Sequence, residues 1–208
     1  MASIFLWGAQ YEEGSYGTSY IPNFGTAAGV TRNQDLFTRD GIGSLINSTE
    51  GVLFLEMAAL SDDNTDRVIS LSDGTNNHRI LLAYTSTTNQ IQAFHNDNVS
   101  PVNLVFTVSN ITDFHKVAFK YKVNDFALWV DGVEVATNNS KGVNTANTLN
   151  ELKFENASGT GDFYGKVKQL QVYGTALTDE ELTLLTIPPN STYSTYAEMA
   201  NALNYTLQ

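Results

Sequence analysis

Residues 115–131 read HKVAFKYKVNDFALWVD and contain two runs in which bulky apolar side chains occupy alternate positions. Such alternation is typical of a β-strand, since successive side chains of a strand point to opposite faces. Asn124 and Asp125 separate the two runs and tolerate the tight turn of a hairpin, and Asp131-Gly132 begins a second turn. The stretch therefore predicts an antiparallel meander with one face in the core.

Similar short apolar runs recur along the chain, and Gly, Asn, Asp and Ser separate them. Closely spaced runs without helical periodicity are typical of an antiparallel sandwich. The predicted strands are 52–60, 67–71, 79–84, 91–95, 102–108, 115–123, 126–130, 133–136, 149–154 and 163–173. We therefore expect an all-β fold, a two-sheet antiparallel β-sandwich, with short helices after its last strand.

Helical signals occur only near the end of the chain. Thr178 is a capping residue, and three acidic residues follow it in the turn where the helix dipole favours negative charge. A short helix is predicted over 179–185, ended by Pro188-Pro189. A second short helix is predicted from 194 or 195 to about 203, because one stripe of that segment is apolar.

The length of 208 residues suits one β-sandwich domain, and 42% hydrophobic residues can supply its core. The expected organisation is an N-terminal strand or linker over 1–30, a sandwich core over 31–187 and a helical extension over 188–208. The first residues lack the basic and long apolar regions of a secretory signal, which favours a module taken from a longer chain. With no Cys, the chain has no disulfide, thiolate metal site or Cys nucleophile.

The formal net charge of -11 argues against nucleic acid or an anionic membrane as the main partner, since both need a basic protein surface. The charge is unevenly distributed, because every Lys lies after residue 115. This distribution is compatible with a local basic face on an acidic protein.

Two stretches resemble a known family. Residues 126–133, FALWVDGV, look like the hairpin of laminin-G-like and pentraxin-like domains, and residues 165–182, GKVKQLQVYGTALTDEEL, are similar to their closing strand and short helix. The resemblance implies a jelly roll of the concanavalin A-like lectin and glucanase superfamily, a fold found in carbohydrate-binding modules and lectin-like proteins. Members share the fold far better than they share a ligand.

The N-terminal segment carries a separate resemblance. Residues 6–22, LWGAQYEEGSYGTSYIP, resemble a segment that recurs in phage tail and other virion proteins. This implies a virion or extracellular location and a parent fibre that is a homo-oligomer, in which residues 5–10 can form the last strand of an upstream sandwich.

Catalysis is not expected. Retaining glucanases of this superfamily carry Glu-x-Asp-x-x-Glu on one strand, because two carboxylates must flank the glycosidic bond. That spacing is absent, and the nearest pair, Glu151 and Glu155, has no central Asp. The three His residues are scattered along the sequence and favour neither a metal triad nor a Ser/His/Asp set.

Carbohydrate binding is the leading hypothesis, since a sugar stacks on an aromatic ring while polar side chains bind its hydroxyls. Trp129 is expected on the sheet face opposite the core, beside lysines that would favour an acidic polysaccharide. This first predicted site comprises Trp129, Lys120, Lys122, Lys166 and Lys168. A second predicted site, near a strand end, comprises Tyr84, Phe94, His95 and Asn96.

Calcium is a candidate cofactor, because loop carboxylates and amides supply the oxygen ligands that it prefers. The predicted ligands are Asp62, Asp63, Asp66 and Asp73, although Asp and Asn also dominate ordinary turns. The main hypothesis is a non-catalytic module that binds a polysaccharide or cell-surface glycan. The alternatives are a structural, oligomer-forming module of a phage tail fibre or capsid decoration protein and, less favoured, a polysaccharide-degrading enzyme.

Overall fold

The computed structural model describes residues 36–188 and the isolated residues 11, 17, 20 and 22. The predicted strand at 5–10 and the predicted helix at 194–203 lie outside the described residues. The elements are β1 (Thr38–Arg39), a 3-10 helix (Gly43–Leu45), β2 (Glu50–Ala59), β3 (Arg67–Ser72), β4 (His78–Tyr84), β5 (Gln90–Asp97), β6 (Val102–Thr107), β7 (His115–Lys122), β8 (Phe126–Val130), β9 (Val133–Asn138), β10 (Glu151–Lys153), β11 (Gly165–Tyr173) and α1 (Asp179–Thr186).

The strands form two antiparallel sheets. The six-stranded sheet has the order β1-β10-β3-β4-β5-β6, and the five-stranded sheet has the order β11-β2-β7-β8-β9. This architecture confirms the predicted two-sheet sandwich, and each predicted strand overlaps one of β2–β11. Only β1 was missed within the described part of the chain, because its two residues are too few to show alternation.

The hairpin predicted at 115–131 is formed by β7 and β8. Phe119 pairs with Leu128 on the inner face, and Ala118 pairs with Trp129 on the outer face. The next turn uses Asp131 and Gly132, with φ of 50° and 88°. A Cβ on Gly132 would lie 2.8 Å from a side-chain carbon of Ile187, so positive φ and close packing both favour glycine there.

The main core fills the space between the two inner faces. Leu53, Leu55 and Met57 of β2 face Ile80 and Leu82 of β4 in one cluster. These side chains are fully buried, and each contributes about 1.5–3 kcal/mol by leaving water. The sandwich is therefore held by packing and by the ladders of both sheets.

The helix α1 lies on the outer face of the five-stranded sheet. Thr178 Oγ1 accepts a hydrogen bond from the Glu181 N–H at 3.3 Å, and the Thr178 N–H donates to Glu181 Oε2 at 2.8 Å. This capping box confirms the predicted helix start. No helix in the described part of the chain has the length and apolarity needed to cross a membrane.

Candidate functional site

Trp129 is covered by α1. Its indole is only 5% exposed and packs in a small cluster on the outer face of the five-stranded sheet, with Phe54 and with Leu182 of the helix. The alternation correctly placed this ring on the face opposite the main core. The prediction that the ring stacks on a sugar is wrong, because the apolar side of α1 occupies the space that a sugar would need.

The first two lysines of the predicted site have acidic partners. Lys120 is buried, and its Nζ lies 2.8 Å from Asp125 and 3.2 Å from Asp179 at the start of α1. Burial acts to lower the pKa of Lys120, but hydrogen bonds to these two carboxylates outweigh it, and the pKa is raised. Lys122 is exposed and lies 3.2 Å from Glu50.

The other two lysines lie at the opposite end of the same sheet. Lys166 pairs with Ala58 of β2, whereas Lys120 pairs with Val52. Six residues of an extended strand separate these positions, which corresponds to about 20 Å. Lys168 binds Glu56 at 3.1 Å and lies 3.8 Å above the Phe114 ring. The four lysines and Trp129 therefore do not converge on one site, and this prediction is wrong.

The second predicted group is divided between the two faces of the six-stranded sheet. Tyr84 and His95 are fully buried and face the space between the two sheets. The Tyr84 hydroxyl donates a hydrogen bond to the Met57 carbonyl at 3.0 Å. The predicted role of Tyr84 and His95 in sugar binding is wrong, because strand alternation turns both inward. Phe94 and Asn96 point to the outer face and remain partly exposed.

The outer face of the six-stranded sheet brings together side chains that suit a polar ligand. We call the Arg79 face the surface formed by Arg79 of β4, Gln92, Phe94 and Asn96 of β5, and Asn103 of β6. Cross-strand pairing places Arg79 opposite Asn96 and Phe94 opposite Asn103. Gln92 Nε2 donates to Asn103 Oδ1 at 2.8 Å, which leaves Gln92 Oε1 and Asn103 Nδ2 without partners in the described part of the chain.

Phe94 forms the apolar part of this face. Its ring packs against a small buried group of Val68, Leu81 and Ala83. The Arg79 guanidinium carbon lies 5.1 Å from the ring centroid, a distance at which a cation is attracted to an aromatic face. The result is a half-buried aromatic ring beside a cation and several side-chain amides.

Two loops hold the guanidinium in place. Arg79 Nη1 donates to Oδ1 of Asn76 and to Oδ1 of Asn156, both at 2.5 Å. Asn76 lies in the β3–β4 loop, and Asn156 lies in a turn of the β10–β11 loop. Burial lowers the pKa of Arg79 from its ordinary value, although a guanidinium stays charged at physiological pH.

A laminin G-type family model, described as the concanavalin A-like lectin/glucanases superfamily, matches residues 54–183. The chain belongs to this superfamily. No curated protein sequence matches this concanavalin A-like chain.

Several solved structures share the fold of this concanavalin A-like domain. The CBM40 domain of the Ruminococcus gnavus IT-sialidase, bound to α2,3-sialyllactose, has a TM-score of 0.59 and 15% identity, over 72% of this chain and 98% of that one. The leech intramolecular trans-sialidase has a TM-score of 0.56 and 19% identity over 70% of this chain. This chain spans only 24% of the leech enzyme. Domains LG4-5 of the mouse laminin α1 chain have a TM-score of 0.51 and 12% identity, over 64% of this chain and 38% of that one.

The predicted calcium ligands of this concanavalin A-like domain bind protein groups. Asp62 and Asp66 each accept a hydrogen bond from a backbone N–H of the β4–β5 loop, at 3.0 and 2.7 Å. Asp63 pairs with Arg67 at 2.6 Å, and Asp73 accepts from a backbone N–H of its own turn at 2.9 Å. Within the described residues, no group of three or more His, Cys, Asp and Glu could hold a metal ion. Calcium binding stays a prediction.

Most residues of the Arg79 face were not predicted from the sequence. Alternation along β4 could have placed Arg79 outside, since Ile80 and Leu82 are clearly core residues. Asn156 carries no such signal, because it meets Arg79 across 77 residues of sequence. Its role depends on where the β10–β11 loop crosses the sheet.

Proposed function

We propose that this chain is a non-catalytic carbohydrate-binding module and that the Arg79 face binds the sugar. The main support for this proposal is that this outer sheet face presents a partly exposed aromatic ring between side-chain amides and a guanidinium. A sugar has the complementary surface, because its C–H groups pack on a ring and its hydroxyls exchange hydrogen bonds with amides. On the other sheet, α1 covers Trp129.

The comparisons support this proposal at the level of fold. The Ruminococcus gnavus domain is described as bound to sialyllactose and aligns with 72% of this chain. A sandwich of this architecture can therefore serve as a separate sugar-binding domain. The residues that bind the sugar must come from this chain's own surface, since a shared fold does not imply a shared ligand.

The acidic residues beside the Arg79 face support a non-catalytic role. Glu151 lies 3.3 Å from Lys153 Nζ, and Glu155 lies 4.0 Å from the same atom. Glu151 also accepts a hydrogen bond from the Ser72 hydroxyl at 2.8 Å. A retaining glycosidase needs one protonated and one nucleophilic carboxyl group across a bond. Here both carboxylates instead lie beside the same ammonium group.

Glycan-array screening followed by NMR mapping tests the proposal. The array should carry neutral and acidic glycans, and the strongest binder should then be titrated into ¹⁵N-labelled protein. We expect the largest shifts at backbone amides of β4, β5 and β6. Replacing both Gln92 and Asn103 with Ala should weaken binding by about thirtyfold, given about 1 kcal/mol for each of the two lost hydrogen bonds. A matched Gln171→Ala change on the outer face of β11 should leave affinity unchanged.

Three results would contradict the proposal. One is no binding to any glycan on the array, and another is shifts confined to the five-stranded sheet. The third is turnover of a glycan that a single Glu151→Gln or Glu155→Gln change abolishes, which would instead favour the enzyme.

The setting of the module is a separate proposal, supported by the segment at residues 6–22 that resembles virion proteins. We place the module in a virion or another extracellular assembly, where a fibre would present several copies to a glycan-coated surface. Sedimentation analysis together with the glycan array separates the binding module from the purely structural alternative. A glycan-binding chain of any stoichiometry supports the binding module, whereas a stable oligomer without glycan binding supports the structural one.

We further propose that calcium binds the loop that contains Asp62, Asp63 and Asp66. Thermal unfolding with millimolar calcium and with a chelator tests this proposal. A ligand that binds only the folded state raises the melting temperature. An unchanged melting temperature in the two conditions would contradict calcium binding there.

A further inference from the structure

The half-buried Arg79 differs from the fully buried Arg67 in what surrounds its charge. Arg67 is 1% exposed and lies 2.6 Å from the Asp63 carboxylate. Arg79 instead donates hydrogen bonds to the neutral amide oxygens of Asn76 and Asn156, and no carboxylate in the described part of the chain forms an ion pair with it. The amides fix the guanidinium in position but supply no negative charge to balance it.

Such a charge favours an anionic partner. Moving a cation out of water is costly unless a counter-charge or hydrogen bonds replace the lost solvent. The nearby carboxylates of Glu151 and Glu155 form their ion pairs with Lys153 instead. An anion that reached Arg79 would therefore gain an interaction that the protein itself does not satisfy.

The geometry identifies the atom available to such a partner. Both hydrogens of Nη1 point to the two asparagines, and Nε is shielded from solvent without a partner in the described residues. Nη2 makes no hydrogen bond to the described residues either, but it reaches solvent. One anionic oxygen can bind Nη2, while Gln92 and Asn103 lie along the same face to receive hydroxyls.

We propose that the ligand of the Arg79 face is an acidic sugar whose anionic oxygen binds Arg79 Nη2. This inference rests on the proposed glycan-binding function and adds the chemical class of the ligand. Carboxylate and sulfate share the required chemistry. The net charge of -11 repels such ligands at long range, but at about 0.15 M salt the screening length is about 8 Å and the contact with Arg79 dominates.

NMR titration with sugars that share one ring tests the class directly. The probes are glucuronate, glucose 6-sulfate and glucose. Each is titrated, at about 0.15 M salt, into protein whose backbone amides and arginine side chains are labelled with ¹⁵N. Glucuronate or glucose 6-sulfate should shift the Arg79 side-chain resonance and nearby β4–β5 amides, with an affinity at least about tenfold above that of glucose. Comparison of the first two probes distinguishes carboxylate from sulfate.

Substitution of the amides provides the sharpest variant. Asn156→Asp keeps the acceptor oxygen beside Arg79 and adds the missing negative charge, so the protein should fold normally while its preference for acidic sugars disappears. Asn138→Asp, on β9 of the other sheet, makes the same change of charge and keeps an oxygen that accepts from the Ser140 N–H. This control should retain the preference within about twofold. Arg79→Gln should lose it, whereas Arg39→Gln, at the exposed β1, should not.

The outcomes separate this inference from the proposed function. If glycans on the array bind the Arg79 face but acidic and neutral probes bind equally, or if Asn156→Asp keeps the acidic preference, the acidic-sugar inference is refuted and the glycan-binding module stands. If neither the array nor the probes show binding at this face, both are refuted.

Discussion

His95 should make the stability of this protein fall steeply as the pH drops below 6.5. The side chain is fully buried, and its ring lies 5.0 Å from the Phe126 ring. The Asn144 amide Nδ2 lies 3.3 Å from Nε2, so the neutral ring can accept a hydrogen bond there, and Nδ1 has no partner in the described residues. A protonated ring would turn an N–H toward the amide N–H and would place a cation in the core.

Burial lowers the pKa of His95 to about 4 from the ordinary value of 6.5, although Asp97 acts in the opposite direction. Because the unfolded state binds the proton more readily, the contribution of His95 is fully present above pH 6.5 and is lost as the pH falls through 4. The difference between these two pKa values corresponds to about 3 kcal/mol at low pH. At pH 5 the expected loss is about 2 kcal/mol.

Urea unfolding at pH 7 and pH 5, followed by tryptophan fluorescence, measures this loss. The wild-type protein should be compared with His95→Gln, which removes the titrating group and retains a neutral amide. Carboxylates and other histidines contribute equally to both proteins, so the difference between their two pH responses isolates His95. The slope m should stay constant, which shows that the same surface is exposed in each case.

The expected result is a pH response about 2 kcal/mol smaller in His95→Gln than in the wild type. His78→Gln changes a partly exposed histidine and leaves His95 in place. The loss of stability that His95 causes between pH 7 and pH 5 should therefore persist in this variant. Equal pH responses in the wild type and His95→Gln would refute the reasoning, whatever the stability of the variant at pH 7.

Three further predictions concern packing, capping and a second histidine. Leu182→Ala should cost about 2–5 kcal/mol, because this fully buried side chain packs α1 onto Trp129, and sugar affinity should not change; unaltered urea unfolding would contradict the role of α1. Thr178→Ala should cost about 0.5–2 kcal/mol in thermal unfolding and Thr178→Asp should recover most of it, whereas an equal loss in both would exclude capping. Burial acts to lower the pKa of His115, but hydrogen bonds to Asp131 and the Asn110 carbonyl raise it overall. The contribution of His115 to folding stability is therefore present below pH 6.5 and is lost as the pH rises through the folded-state pKa. His115→Gln should therefore cost more stability at pH 5 than at pH 8, and an equal cost at both would be contrary to this.

The strands and the helix could be predicted from sequence because local patterns determine them. The predicted strand 126–130 coincides with β8, and the helix predicted over 179–185 is observed as Asp179–Thr186. Alternation reports which face of a strand is buried, and a capping residue followed by acids reports where a helix begins. These signals are contained within a few residues of one another.

The candidate site could be predicted only in part, for the same reason. Phe94 and Asn96 were identified because they lie on a recognisable strand. Tyr84 and His95 were grouped with them as residues near a strand end, but alternation turns those two inward. The lysines of β7 and β11 were grouped by charge, although one pair lies about 20 Å from the other along the sheet.

The sequence by itself determined the superfamily, the two-sheet architecture and the position of α1. Only the tertiary structure showed that α1 covers Trp129 and that Asn76 and Asn156 meet at Arg79 from two different loops. The physical reason is that strand and helix formation depend on neighbouring residues, whereas the solvent exposure of a ring and the neutralisation of a charge depend on groups that are distant in the chain. Whether Arg79 has an acidic partner is decided by the loop that crosses the sheet above it, and this loop presents an amide.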